Sequence, residues 1–526
     1  MKKFLVLTRV QLRALLSTLR IGGSRKRAAS GWGALALAAG LCLYLSGFYS
    51  FALGGQLAAL GALDLLLLMM PAAAVAAGVL FTALAAQAVV FSGRDSDLLL
   101  ALPVPALTVL LSKTAALYVE NLVFCLFFVL PAGAARWWFG GGGGAAFALR
   151  MVLGTVFLAL VPTVLALGIG FLLGWLGARL GSRRWINLAL CVLTAGVVLL
   201  LVLRLNGAVS ALMAGELGMD SDVPFWALPF RFFQEGVCGS WGKLALFGLG
   251  ALALLLGAAA VLAGRYRQVL TGLKARRRGG SLRLDRVQAA GPRRAVLRKE
   301  AARYFGTPIY LMNTGLGLIL LPAAGIAAVV MKGRLQGLLA QMGGIPVPVL
   351  AAGTVLLCLS TAAVTGSSIS LEGKTLWILR GAPLPAGEIL EVKAAFQVLI
   401  TAPCLLVGGA GIAWGLDLGW AMGAVLVLAG LAFSGFCALF GLLVNLCFPR
   451  LDAISDAAVV KQSAAAMIST FAAMAAAAAC TLAAWGLTAL VSPEAAWGFL
   501  SLVLLALCAA LDRWLATQGA KRFLEL

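Results

Sequence analysis

Between Asp64 and Arg94 there is no charged residue, and apolar stretches of this kind recur along the whole 526-residue chain. Each is long enough, at about twenty residues, to cross roughly 30 Å of hydrocarbon as a helix. They are rich in Leu, Ala and Gly and lack the alternation of a membrane barrel, so the spans are helices whose backbone groups bond internally. Hydrophobic residues make up 62% of the chain and charged residues 11%, a balance foreign to soluble domains. The expected fold class is all-α, a polytopic membrane protein.

The spans fall at approximately 32 to 54, 65 to 91, 114 to 135, 144 to 175, 185 to 204 and 244 to 264. A second set follows at 308 to 331, 345 to 369, 394 to 415, 418 to 447, 461 to 489 and 494 to 516. That makes twelve, six per half, with a first membrane domain over 1–264, a linker with an interfacial helix over 265–306 and a second membrane domain over 307–526. The linker holds thirteen Lys or Arg from Arg265 to Arg303 against Asp285 and Glu300 alone. It reads as a solvated connector near anionic headgroups. Most of the 41 Lys and Arg fall on the side of both termini, which the positive-inside rule assigns to the cytoplasm. That bias accounts for most of the +22 net charge, and nucleic-acid binding is not expected.

One short polar stretch is used twice. Shifting by 280 positions lays Glu372–Lys393 over Ser92–Lys113, with Gly373 on Gly93, Pro383 on Pro103, Pro385 on Pro105, Leu390 on Leu110 and Lys393 on Lys113. Both copies lie between a second and a third span, on the cytoplasmic side, so the chain reads as two related halves. Lys113 and Lys393 are expected to snorkel to the inner face. Glu120, deeper on the same helix beside Asn121 and sharing a face with Lys113, reads as a structural pair with that lysine or a helix–helix polar contact ahead of a pathway residue, and Asn121 is read with it. Before the first span, Arg9, Arg13 and Arg20 are interleaved with leucines, as in a helix lying in the interface. The aromatic run Pro224–Gly236 reads as an interfacial or re-entrant helix in the largest outside loop, and Gly140–Gly144 as an outside turn.

The chemistry the chain lacks is as informative. It has no histidine, which removes His-based triads and most zinc sites, and no metal site is expected. The ten cysteines form no C-x-x-C pair and are expected to be reduced packing residues, with Cys238, in an outside loop, the exception. Gly373, Lys374 and Thr375 imitate the end of a phosphate-binding loop, but Ser368 stands where the first glycine would be. The chain is not expected to be an enzyme or to bind a nucleotide or other cofactor itself.

The stretch Leu297–Pro322, through Lys299, Glu300, Arg303, Tyr304, Pro308 and Pro322, resembles the start of the membrane domain in ABC-2 type exporter permeases. There an interfacial helix with a Lys-Glu pair and later basic residues precedes a proline and the first span. The two copies of the repeated stretch are similar to that family's loop between the second and third spans, where a coupling helix docks on an ATPase subunit. The resemblance implies a transport permease in a bacterial cytoplasmic membrane, working with separate ATPase subunits, two of them, which hold the ATP and magnesium. It places interfacial-helix roles on Lys299, Glu300 and Arg303. Docking contacts would be Arg94, Asp95 and Asp97 in the first copy and Glu372, Lys374 and Arg380 in the second. Pro103, Pro105, Pro383 and Pro385 would end the coupling helices, and Trp377 to Leu379 would anchor the second one. Substrate is not implied by any residue. The competing readings are a self-contained secondary transporter of the major-facilitator kind and a non-transporting membrane scaffold.

Overall fold

The computed structural model describes residues 2–19, 25–59, 61–86, 90, 101, 103–140, 144–179, 189, 196, 228–275, 291–333, 335–336, 346–453, 456–461 and 463–526. Among these there are helices and no strands. The helices are α1 (Lys2–Leu19), α2 (Arg25–Ala59), α3 (Leu66–Ala86), α4 (Ala106–Phe139), α5 (Ala145–Leu158), α6 (Leu160–Arg179), α7 (Leu228–Cys238) and α8 (Trp241–Ala275). They continue as α9 (Pro292–Gly306), α10 (Pro308–Val330), α11 (Val347–Ser360), α12 (Thr365–Ser368), α13 (Leu376–Arg380), α14 (Ala386–Gly415) and α15 (Gly419–Cys447). The last are α16 (Asp456–Val460), α17 (Ala464–Leu487), α18 (Pro493–Trp514) and α19 (Ala520–Glu525).

Ten helical stretches among the described residues are long and apolar enough to cross a bilayer. Each coincides with an expected span. The expected first span lies within α2, and the expected fifth, 185 to 204, falls almost wholly outside the described residues. The linker residues 276–290 also lie outside them. The expected span 144 to 175 is divided at Ala159 into α5 and α6, next to Pro162, whose ring crowds the carbonyl four residues back. The expected aromatic helix is present as α7, with Phe230 and Phe233 buried.

The chain divides into two compact units, Met1–Ser17 with Leu35–Ser281, and Thr18–Ala34 with Leu282–Leu526. In the first, α3 packs on α4 and α6, and α8 on α6 and α7, around a core that includes Leu66, Cys125, Val129, Phe233 and Leu244. At one end Arg136 of α4 pairs with Asp64 at 2.7 Å, and the Cys238 thiol points to the same carboxylate at 3.8 Å. Burial, followed by the Asp64 charge, raises that thiol's pKa to about 11, which favours the protonated form.

In the second unit α14 is the central post, packed by α10 on one side and α15 on the other. Its 30 residues make a rod of about 45 Å, the depth of a bilayer with its headgroup layers. Backbones touch along the α10–α14 contact. A Cβ on Gly408 would sit 2.5 Å from the Leu321 carbonyl oxygen, and one on Gly411 2.7 Å from that of Gly325. Small residues permit this approach, which no larger side chain would.

Helices α4 and α14 bury the same register. Under the shift of 280, Leu110, Lys113, Asn121, Cys125, Val129, Ala132 and Ala135 fall on Leu390, Lys393, Thr401, Leu405, Gly409, Ile412 and Gly415, and every one of these is buried. Each helix begins after a proline of matched geometry, Pro105 at φ −57°, ψ 141° and Pro385 at φ −56°, ψ 143°.

Candidate functional site

The turn-back segment of the second unit is built from interrupted pieces. Helix α11 ends at Ser360, residues 361–364 carry no α-helical assignment although Thr361 and Val364 keep right-handed helical dihedrals, and α12 resumes for one turn. A 3₁₀ turn, Ser370–Thr375, then bends at Gly373, whose φ of 53° suits glycine, before α13. Interrupting a helix inside a bilayer frees backbone groups that must find partners within the protein. They do. The Tyr310 hydroxyl donates to the Val364 carbonyl at 2.7 Å, and Gln397 Oε1 accepts from the Thr365 N–H at 3.0 Å. Asn445 donates to the Thr365 carbonyl at 3.2 Å and accepts from the Ser370 hydroxyl at 2.6 Å.

Directly beyond this network lies a cluster of five charged side chains. Glu372 comes from the 3₁₀ turn, Lys393 from α14, and Lys299, Glu300 and Arg303 from α9. Lys393 Nζ lies 2.8 Å from Glu300 Oε1 and 3.0 Å from Glu372 Oε1, and it also donates to the Ser368 carbonyl at 3.4 Å. Arg303 Nη1 is 2.7 Å from Glu372 Oε1, and Lys299 pairs with the same oxygen. Three cations thus converge on one carboxylate oxygen, while Glu372 Oε2 is buried without a hydrogen-bond donor among the described residues. The Tyr304 ring of α9 packs edge-on against Tyr310 of α10 and Phe396 of α14, forming an aromatic wall beside the cluster.

Burial separates the members. The side chains of Lys393 and Glu372 have no exposure, whereas Lys299 keeps 35%. Burial, then the neighbouring Lys393 charge, lowers the Lys299 pKa even though Glu372 favours its ammonium form. Further out on α9, Arg293 reaches back to Glu388 at 2.8 Å and to Glu391 at 3.7 Å. Helix α9 is therefore laced to the turn and to the start of α14 at two levels. Among the described residues no group of His, Cys, Asp or Glu could hold a metal ion. The arrangement can fix one segment to another; it presents no nucleophile–base pair.

These positions revise several expectations. Lys393 and Lys113 do not snorkel: both are buried to 1% exposure, and Lys393 is held by two carboxylates. Glu372 is enclosed by its ion pairs and offers no surface for a partner. Lys374 is exposed and Arg380 half-buried, while Arg94, Asp95 and Asp97 lie outside the described residues. Of the residues expected to anchor α13, Leu379 is buried, together with Leu376, but Trp377 and Ile378 stand out at 70% and 55% exposure. Helix α13 closes at Gly381, ahead of Pro383, so the prolines Pro383 and Pro385 lead into α14 rather than end α13. In the first unit Pro103 and Pro105 precede α4 in the same way.

Lys299, Glu300 and Arg303 are brought together on α9 as their spacing suggests. Asn121 is a bridge between helices, donating to Thr163 Oγ1 at 3.1 Å and accepting from Thr82 Oγ1 at 3.3 Å; Glu120 beside it is half-buried. Sequence reasoning missed Tyr310, Gln397, Ser370 and Asn445. A signal was present, because Lys393, Gln397 and Thr401 repeat every fourth residue and so share one face of α14. No protein-family model, curated protein or solved structure matches this chain.

Proposed function

We propose that the chain is the membrane permease of an ATP-driven exporter, twelve spans in two repeated halves, with both termini cytoplasmic. The observation that carries this reading is the turn-back segment of the second unit. Its exposed tip, Lys374, Trp377 and Ile378, stands on a base clamped by buried ion pairs to α9 and α14. A coupling element needs that combination, a free surface for the partner and a rigid base that passes displacement into the spans. Partner ATPase subunits bind the tip, hydrolyse ATP with magnesium, and shift the spans between two arrangements. The shared register of α4 and α14 supports two such segments, one per half.

The buried cluster itself favours one competing reading, since ionisable groups within a bilayer often mark an ion path. An ion-coupled carrier would move solute in sealed vesicles with an ion gradient and no ATP. Purification from the native membrane separates the two: the permease reading expects an ATPase subunit to come with the chain and to be lost from W377A/K374E.

A further inference from the structure

Helices α1 and α9 each precede the first span of a half, yet their basic residues meet different surroundings. On α9 three of the five are answered by protein carboxylates, Lys299 and Arg303 by Glu372 and Arg293 by Glu388 and Glu391, while Arg294 and Arg298 stand exposed. Its exposed residues are Pro292, Arg293, Arg294, Ala295, Arg298 and Gly306, with no large apolar side chain among them. Helix α1 has no acidic residue in its 18 positions. No ion pair involves Lys3, Arg9 or Arg13 among the described residues, and Lys3 donates instead to the Pro103 carbonyl at 3.1 Å.

The outward face of α1 is also mixed in a way that α9 is not. Leu5, Val6 and Val10 are 61%, 62% and 56% exposed, and Lys3, Arg9 and Arg13 are exposed beside them. At about 100° per residue these six fall on one continuous face, in the order Leu5, Arg9, Arg13, Val6, Val10, Lys3. Phe4, Leu7 and Leu12 lie on the other, half-buried side. Water is a poor partner for three exposed aliphatic side chains, and an acidic protein surface would leave them unmatched. A face of interleaved aliphatic and cationic groups fits the boundary of an anionic bilayer, with chains beneath and phosphates level with the guanidinium groups. The hydrogen bond to Pro103 places the start of α1 at the level where α4 begins.

We propose that α1 is an anionic-phospholipid-binding helix, tied at its start through Lys3 to Pro103 ahead of α4. Helix α9, with Arg293, Lys299 and Arg303 paired within the protein and no large apolar side chain exposed, lacks this mixed face. This inference stands independently of the transport reading.

The test is hydrogen–deuterium exchange of the full chain in nanodiscs of phosphatidylcholine alone or with phosphatidylglycerol. With each basic residue contributing on the order of 1 kcal/mol near an anionic surface, amides of α1 should exchange about tenfold or more slowly in the phosphatidylglycerol discs. Raised salt should weaken the effect, and R9Q/R13Q, which alters only exposed side chains, should abolish it. Exchange of α9, whose exposed face carries no large apolar side chain, should change less than that of α1. Equal α1 exchange in the two lipids overturns the proposal, as does slowing that survives R9Q/R13Q. Protection that appears only with a co-purified protein, whatever the lipid, also overturns it and assigns the face to that protein.

Discussion

Lys393 Nζ and Glu300 Oε1 lie 2.8 Å apart with both side chains buried, one on α14 and the other on α9. Removing charges from water is costly, and such a pair is tolerable because each member also has other partners, Glu372 for the lysine and Lys299 for the glutamate. Breaking it from one side should therefore cost more than replacing it. Lys393→Met is expected to destabilise the second unit by about 3–5 kcal/mol, since it leaves buried Glu300 with only the more distant Lys299 at 3.8 Å and removes one of the three cations on Glu372. Adding Glu300→Gln should recover part of that loss. Thermal unfolding in detergent of the two single variants and the double variant measures the coupling.

The α10–α14 contact should be as sensitive to volume as the cluster is to charge. Gly408→Val is expected to separate the helices or leave the protein misfolded, because its Cβ would meet the Leu321 backbone. Gly250→Ala, on α8 with open space around its Cβ, serves as the control and should unfold like the parent.

Alkaline pH should act through Lys299. Its folded pKa is depressed below 10.5, so the ammonium form is disfavoured in the native state. Stability through this group is lowest below the folded pKa and rises as pH climbs from there towards 10.5. Unfolding temperature followed across that window should show a rising contribution in the parent that is missing in Lys299→Gln.

The polar bridge in the first unit should be worth less than the ion cluster. Asn121→Leu removes contacts to Thr82 and Thr163, each of which keeps its bond to a carbonyl one turn back. The expected cost is about 0.5–2 kcal/mol. A loss as large as that of Lys393→Met would mean that the bridge, not packing, holds α3, α4 and α6 together.

The spans were legible because a bilayer imposes length and apolarity on them, and every described span sits where the apolar runs lie. Pro105 and Pro385, aligned by the 280-residue shift, each stand ahead of a helix with matching geometry, and Lys113 and Lys393 are both buried on those helices. What escaped was the fate of the charges. Lys393 lies seven residues, about 10 Å, inside α14, a depth from which a lysine can snorkel. It stays because Glu372 and Glu300 arrive from segments 21 and 93 residues away in sequence, and no local pattern announces that meeting. For the same reason the break at 361–364 was hidden. Its support comes from Tyr310, Gln397 and Asn445 on three other helices, and the residues of the break itself, Thr361 to Val364, carry no proline or glycine.

The most direct test of the permease account is gentle purification of the tagged chain from its native membrane, with and without W377A/K374E. These exposed positions can change without disturbing the ion cluster. The account predicts that an ATPase subunit co-purifies with the parent and is lost from the variant, while the variant unfolds at the parental temperature. A chain that purifies alone and moves solute into sealed vesicles on an ion gradient without ATP would contradict it.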